Sequence, residues 1–592
     1  MKTIGKTVPR VALGALLAST AMTWFAAAAM AQGAYDSSLT FDPESYQTLT
    51  VTVDGVATTV RRYETVYVGN PIEMAATQPP RGLGPNGGVP SDTRTPLADP
   101  YAYQKMYIFV PESAVGDDEA AIVMRVGNGG WFASGPQELV QNNGAYVSNS
   151  NTDATGAALA AGYVVVSTGT RSRGAEAADG QLVGKAPAAV VDAKAAIRYL
   201  RLNDTGIPGS AERVVISGTS GGGALSAAVA ASGNSAEYYP YLAEIGAAGI
   251  GADGTSTLDD DVFATIAYVP VTDLGNADKA YEWQYQGIRT AANTIGNDHT
   301  AATEAVSGEL AAAYPAYLES LGLTLEDGTP LTADTMDDAL LAQIRRETED
   351  HIAEGGTVPA IGETFAITRG GTTINVQNDW LTVENGEVAE IDLDKFLNFV
   401  TGITALKVAP AFDATANTDR PYLRGENSLF GTSGQMYSNF TEYGWNNNQV
   451  LGDGSGPDDT GMMWAEFIAS EQSVIDDQLR LIDPFAFLNT DANTAPFWYL
   501  RHGMIDRDTA FAVNLALFHA VGNDPSVRDV NFELAWLTGH AGNYDVQEAY
   551  SWLAESLASV DIAPVPVPAS LPLALGGLGI LGAIKRRKQR RQ

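Results

Sequence analysis

Apolar and polar positions follow two different periods along this chain. From residue 35 to residue 70 the period is two, as in Thr48-Leu49-Thr50-Val51-Thr52-Val53, broken by Asp54-Gly55. Strict alternation around a turn dipeptide predicts a β-hairpin with one buried face. Further on, the apolar runs become continuous: residues 105–110, 121–126, 163–167 and 213–217 read as strands covered on both sides. Between the last two, Pro187 opens a helical pattern with Val190, Ala193, Ile197 and Leu200 on one face. The run 213–217 leads through Gly218-Thr219-Ser220-Gly221-Gly222 into a small-residue helix over 223–231, and residues 262–271 form the next buried strand. The strand–helix periodicity then stops for roughly two hundred residues. Acidic helices such as 338–352 and Gly/Asp/Asn-rich stretches such as 452–461 take its place. Strand patterns return at 496–500 and 531–537.

Strands alternating with helices predict an α/β architecture, a mostly parallel sheet with helices on both faces. Gly218-Thr219-Ser220-Gly221-Gly222 has the G-x-S-x-G spacing, and a strand before it with a helix after it is the context of a nucleophile elbow. The chain is therefore expected to have an α/β-hydrolase fold. Its core spans 32–274 and 483–560, interrupted by a large insertion, 275–482, that acts as a lid over the C-terminal edge of the sheet.

A serine hydroxyl needs a histidine to take its proton and an acid to orient that histidine. In this fold the order along the chain is serine, acid, histidine. Of the five histidines, His299 and His351 fall in the insertion, His502 precedes any suitable acid, and His519 sits on an amphipathic stretch. His540 follows the last strand in the small-residue loop Gly539-His540-Ala541-Gly542, where a side chain can reach the elbow. For the acid, Asp506 and Asp508 both follow the strand ending at Leu500, and at a spacing of two they point to the same side. One serves His540; the other is left near the acyl pocket or pairs with Arg507. An oxyanion hole requires two backbone N–H groups. Gly221 supplies one, and the loop Gly127-Asn128-Gly129-Gly130-Trp131, through Gly130, the other. Residue types alone make Lys407 and Glu426 ordinary surface charges.

The formal net charge is −35, which argues against nucleic acid or an anionic membrane as partner. There is no cysteine, so disulfides, thiolate metal sites and a cysteine nucleophile are excluded. Both ends read as processing signals. Lys2, Lys6 and Arg10 precede an apolar run, 11–29, and Ala29-Met30-Ala31 has the form of a signal-peptidase site, giving a secretory signal over 1–31. Residues 561–592 hold a proline-rich linker, an apolar stretch 571–584 short of the roughly 20 residues of a stable span, and a basic tail. With its Val565-Pro566-Val567-Pro568-Ala569-Ser570 motif this end resembles the PEP-CTERM-type sorting signals of Gram-negative bacteria. That resemblance implies export to the periplasm, cell surface or medium, with transient membrane contact through the tail.

Several ordered segments resemble the bacterial tannases of the subtype B group, the tannin acylhydrolases. They are Gly129-Gly130-Trp131, 218–226, 280–285, 407–413, 426–431, 498–509 and 540–545. The resemblance implies that Asp506 is the triad acid and Asp508 a galloyl-binding acid. It places Lys407 and Glu426 at two lid positions that contact galloyl hydroxyls. Gly221 stands where alanine is frequent in that group, an exchange that keeps the N–H. The expected activity is that of a secreted serine esterase. It cleaves galloyl esters and depsides to gallic acid with Ser220, His540 and Asp506, and it needs no cofactor or metal. The alternatives are a feruloyl or other aryl esterase, a serine peptidase, or a non-catalytic surface-binding protein on the same scaffold.

Overall fold

The computed structural model describes residues 33–79, 93–369, 371–413, 415, 425–449, 452, 454–471 and 473–560. The expected signal peptide and the sorting segment lie outside these residues. Among the described residues no helix is long and apolar enough to cross a membrane. The chain divides into two compact units, Met1–Gln547 and Glu548–Gln592. The described part of the second is most of one helix, Val546–Ala558.

The first unit is built on a ten-stranded sheet. Its strands are β1 (Gln47–Val53), β2 (Val56–Val66), β3 (Lys105–Pro111), β4 (Ile122–Val126), β5 (Val164–Thr168), β6 (Val214–Thr219), β7 (Ala264–Tyr268), β8 (Phe497–Gly503) and β9 (Asp529–Ala535), with a two-residue strand Ala145–Tyr146 at one edge. The order is β9-β8-β7-β6-β4-β5-β3-β2-β1 and then Ala145–Tyr146. From β9 to β5 every pairing is parallel. From β5 through β3 and β2 to β1 it is antiparallel. The alternating segment thus forms the predicted hairpin: Leu49, Val51 and Val60 face inward, and Asp54 and Gly55 turn the chain at φ 52° and 77°. The continuous apolar runs form the parallel, doubly covered part. This is an α/β-hydrolase fold, as the alternation of strands and helices predicts.

Helix α1 spans Ala154–Ala160, α2 Ala188–Leu202 and α3 Gly221–Ala231. Val190, Ala193, Ile197 and Leu200 of α2 are buried as their spacing requires, but so is its polar face. Asp192 there pairs with Arg171, and Lys194 and Arg198 share Asp260. Mutual pairing is what permits charges to be buried at these positions.

Between β7 and β8 the chain leaves the sheet. It forms α4 (Leu274–Tyr285), α5 (Ala301–Ser320), α6 (Ala333–Ala353) and α7 (Leu393–Ile403), and returns to the sheet with α8 (Phe511–Asn523) between β8 and β9. The insertion also holds two small antiparallel hairpins, Thr364–Arg369 with Thr372–Gln377 and Leu381–Glu384 with Glu387–Ile391. The acidic helices are as the sequence pattern predicts; the hairpins are not predicted by it, because their strands are short and carry little apolar pattern.

Candidate active site

Ser220 stands at the sharp turn between β6 and α3, with φ 62° and ψ −123°. A non-glycine residue at positive φ is strained and persists only when its surroundings hold it. Here the Ser220 N–H donates to the Tyr268 carbonyl of β7 at 2.9 Å. The glycines around it are required by contact. A Cβ at Gly218 would lie 2.2 Å from the Gly222 carbonyl oxygen, and one at Gly223 2.5 Å from that of Tyr268. Gly221 is just as tight: a Cβ there would meet the Trp131 nitrogen at 2.3 Å and the Asn128 oxygen at 2.5 Å. Exchange of Gly221 for alanine is therefore not neutral in this chain. The N–H would survive the exchange, but the loop 128–131 would have to move.

His540 lies in the loop after β9. Its Nε2 is 2.8 Å from Ser220 Oγ and its Nδ1 2.7 Å from Asp506 Oδ2. The loop approaches the elbow closely, since a Cβ at Gly542 would fall 2.1 Å from Thr219 Oγ1. Asp506 is fully buried, and its other oxygen accepts the Asp508 N–H at 2.8 Å. Burial alone would raise its pKa; the adjacent His540 reverses this and brings the carboxyl down to about 2. Burial likewise opposes the imidazolium of His540, yet Asp506 and, less strongly, Asp508 hold its pKa above the ordinary histidine value. Asp508 does both things left open for the second aspartate. Its Oδ1 accepts from Arg507 at 2.6 Å, and its Oδ2 lies 3.9 Å from His540 Nδ1. Of the other histidines, His502 is buried with Nε2 3.4 Å from the Asp506 carbonyl, and His351 stacks on Trp536.

Ser220 and His540 open into a cavity of about 280 Å³ that is also bordered by Gly130, Gly221, Lys407, Glu426 and Asp508. Val271 and Phe412 give it apolar walls. Lys407 and Glu426 are 3% and 6% exposed, which corrects their reading as ordinary surface charges. The Lys407 ammonium donates to the Asp508 main-chain carbonyl at 2.7 Å and lies 3.9 Å from the centre of the Phe412 ring. Glu426 Oε2 has no hydrogen-bond partner among the described residues. A buried carboxylate oxygen left unpaired is costly, so this site is poised for a donor from a ligand.

Sequence reasoning missed the residues that hold these side chains. Tyr281 Oη accepts the Lys407 N–H at 3.1 Å, and Arg289 donates to the Lys407 carbonyl at 2.6 Å while pairing with buried Glu282. Asp413 is completely enclosed. It accepts from the side chains of Asn427, Asn439 and Thr441 and from the N–H groups of Phe440 and Thr441. That fixes the segment beginning at Glu426. The signal for both was a carboxylate inside an apolar run, as in Ala280-Tyr281-Glu282-Trp283 and Ala411-Phe412-Asp413.

Gly130 adopts φ 60° and ψ 26°, and the Gly221 N–H in the first turn of α3 has no intrahelical acceptor. Both border the cavity beside Ser220. Asp506, Asp508 and His540 also present ligand atoms within 4.8 Å of one another. Coordinating an ion there would take His540 Nδ1 away from Asp506.

The BD-FAE family model matches residues 106–314. No curated protein matches the chain. Among solved structures, a tannin acyl hydrolase in complex with 3,4-dihydroxybenzoate is 28% identical, with a TM-score of 0.67 and coverage of 88% of this chain and 98% of that one. A tannin acyl hydrolase in complex with ethyl gallate is 29% identical (TM-score 0.66, 88% and 98% covered). The Fusobacterium nucleatum tannase is 28% identical (TM-score 0.66, 88% and 99% covered). With these tannases as its structural neighbours and an α/β-hydrolase sheet of its own, the chain is a carboxylic ester hydrolase of the α/β-hydrolase superfamily.

Proposed function

We propose that the protein is an exported serine esterase that releases gallic acid from galloyl esters of hydroxyl-bearing small molecules, depsides included. The observation that carries this reading is the composition of one cavity, where Ser220 and His540 share walls with Lys407, Glu426 and Asp508. A galloyl ring presents three adjacent hydroxyls. Glu426 and Asp508 accept hydrogen bonds from them, and Lys407, which borders the same cavity, is a donor. A site built to pair hydroxyls rejects rings that lack them, because its own polar groups stay unpaired. The reading is supported further by the dihydroxybenzoate and ethyl gallate bound in the tannase structures.

In the reaction, Ser220 Oγ attacks the ester carbonyl as His540 Nε2 takes its proton, and Asp506 holds the tautomer that keeps Nε2 free to accept. The N–H groups of Gly130 and Gly221 receive the developing oxyanion. His540 returns the proton to the departing alcohol, and water releases the acyl group by the same steps. The insertion serves as the lid that carries Lys407 and Glu426. The ends of the chain direct export, with cleavage after Ala31.

The test compares methyl gallate with methyl ferulate. Gallate is expected to win by a factor on the order of 10³ or more, in line with the discrimination of sites that pair hydroxyls. A preference for ferulate would assign the chain to feruloyl esterases. Ser220→Ala is expected to abolish turnover with the fold intact, and undiminished hydrolysis would overturn the mechanism.

A further inference from the structure

A second cavity, of about 250 Å³, also touches Ser220. It shares Gly129 and Ser220 with the first, but none of Lys407, Glu426, Asp508 and His540 borders it. Among its polar lining residues are Arg125, Gln137, Ser167, Ser217, Thr219 and Asn543, with no carboxylate among the lining residues. Arg125 stands on β4 in register with Ser167 of β5 and Ser217 of β6, so the three project side by side from one face of the sheet. The Arg125 side chain makes no hydrogen bond or ion pair among the described residues. In a chain of net charge −35 this contrasts with buried arginines such as Arg171, Arg198, Arg289 and Arg501, which are paired with acids.

We propose that this cavity receives the alcohol half of the ester and that Arg125 selects leaving groups carrying a carboxylate. The inference rests on the proposed function, in which the acyl ring fills the first cavity. An ester has two halves, joined at the carbon that Ser220 attacks. With the acyl half against Lys407, Glu426 and Asp508, the alcohol half is left to the other cavity that borders Ser220 and the glycine loop. A free guanidinium among hydroxyl and amide donors is matched by a planar carboxylate, which it binds through two parallel N–H donors. The substrate class is an acylated hydroxy acid, either a depside with a free carboxylate or a galloylated aliphatic hydroxy acid. On cleavage, the bond to Ser220 Oγ forms first, and the bond between acyl carbon and alcohol oxygen breaks as the tetrahedral intermediate collapses. His540 protonates the departing oxygen, and the hydroxy acid leaves with its carboxylate unchanged.

The test uses two matched pairs of esters: digallate with its methyl ester, and 3-acetoxybenzoate with its methyl ester. For each, kcat/KM is measured with the wild type, Arg125→Gln and Arg125→Lys. Taking the wild-type-to-variant ratio for each ester cancels the intrinsic reactivity of the leaving group. Arg125→Gln is expected to lose about tenfold more on the carboxylate member than on its methyl ester, one charge-assisted contact's worth. Arg125→Lys should recover part of the difference. Equal losses on both members of each pair, in both variants, would overturn the inference. The acetyl pair separates the two readings. A carboxylate preference there with no galloyl hydrolysis sinks the galloyl assignment and leaves Arg125's role standing. Methyl gallate turnover with no Arg125-dependent preference does the reverse.

Discussion

Asp506 and His540 set each other's protonation state. Because Asp506 holds the imidazolium pKa above its ordinary value of about 6.5, His540 is charged and unable to act as a base at acidic pH. The acidic limb of the kcat/KM profile therefore lies above the ordinary imidazole value, and activity rises as pH climbs through it. Asp506→Asn removes the charge that raises the pKa, so the limb is expected to move to lower pH. Turnover should also fall by on the order of 10⁴, the cost of a wrong tautomer in such triads. A pH–rate profile on an activated ester reads both, and an unmoved limb would exclude Asp506 as the partner. The same pair affects stability. A carboxyl with a folded-state pKa of about 2 contributes stability that is full above its unfolded pKa and lost as pH falls toward 2. Gly221 gives a prediction of a steric kind. Gly221→Ala pushes a methyl into the backbone of 128–131 and displaces Gly130. A loss of about 10² in kcat, with KM nearly unchanged, is expected from a misplaced oxyanion donor.

At the scale of elements, the insertion reaches the site through a few buried polar anchors. The segment 407–413 hangs on α4 through Tyr281, Glu282 and Arg289, and the segment starting at Glu426 hangs on Asp413. Asp413→Asn replaces one accepting oxygen with an NH2 donor that faces the donors of Asn427, Asn439 and the 440–441 backbone. The change is expected to raise KM for gallate esters more than it lowers kcat, because it loosens Glu426 and leaves Ser220 and His540 alone. Steady-state kinetics separates the two. A fall confined to kcat would mean that the 426 segment acts on the chemistry instead. Lys185, just before α2, makes a further anchor to the insertion, with its ammonium shared among the carbonyls of Ser428, Phe430 and Met436.

Over the whole first unit, stability and activity can be separated. Lys194, Arg198 and Asp260 have fully buried side chains and form one network behind α2. None of them borders the cavity at Ser220. Asp260→Asn leaves two cations buried with too little countercharge, at a cost of about 3–5 kcal/mol. Thermal inactivation should come at clearly lower temperature, while kcat/KM per folded molecule stays the same. A parallel loss of kcat/KM would tie α2 to the site.

How much of this was legible in the sequence varies with the range of the interactions. Strand 214–219 and helix 221–231 were readable because a run of β-branched residues, a glycine turn and a run of alanines each act locally. His540 and the pair Asp506 and Asp508 were readable because each must follow a particular strand of the fold. The small hairpins at 364–391 were not, since short exposed strands carry no strong period. The buried charges of α2 were not, because pairing partners such as Asp260 are distant in the chain. The sequence by itself determined the sheet order's ingredients, the elbow and its histidine, all set by local propensity and chain order. Only the tertiary structure decided that Lys407 and Glu426 are buried, that Asp506 and not Asp508 meets His540 closely, and that Arg125 faces a cavity at Ser220 unpaired. Those facts depend on which distant segments pack together, and residue type and spacing carry no record of that.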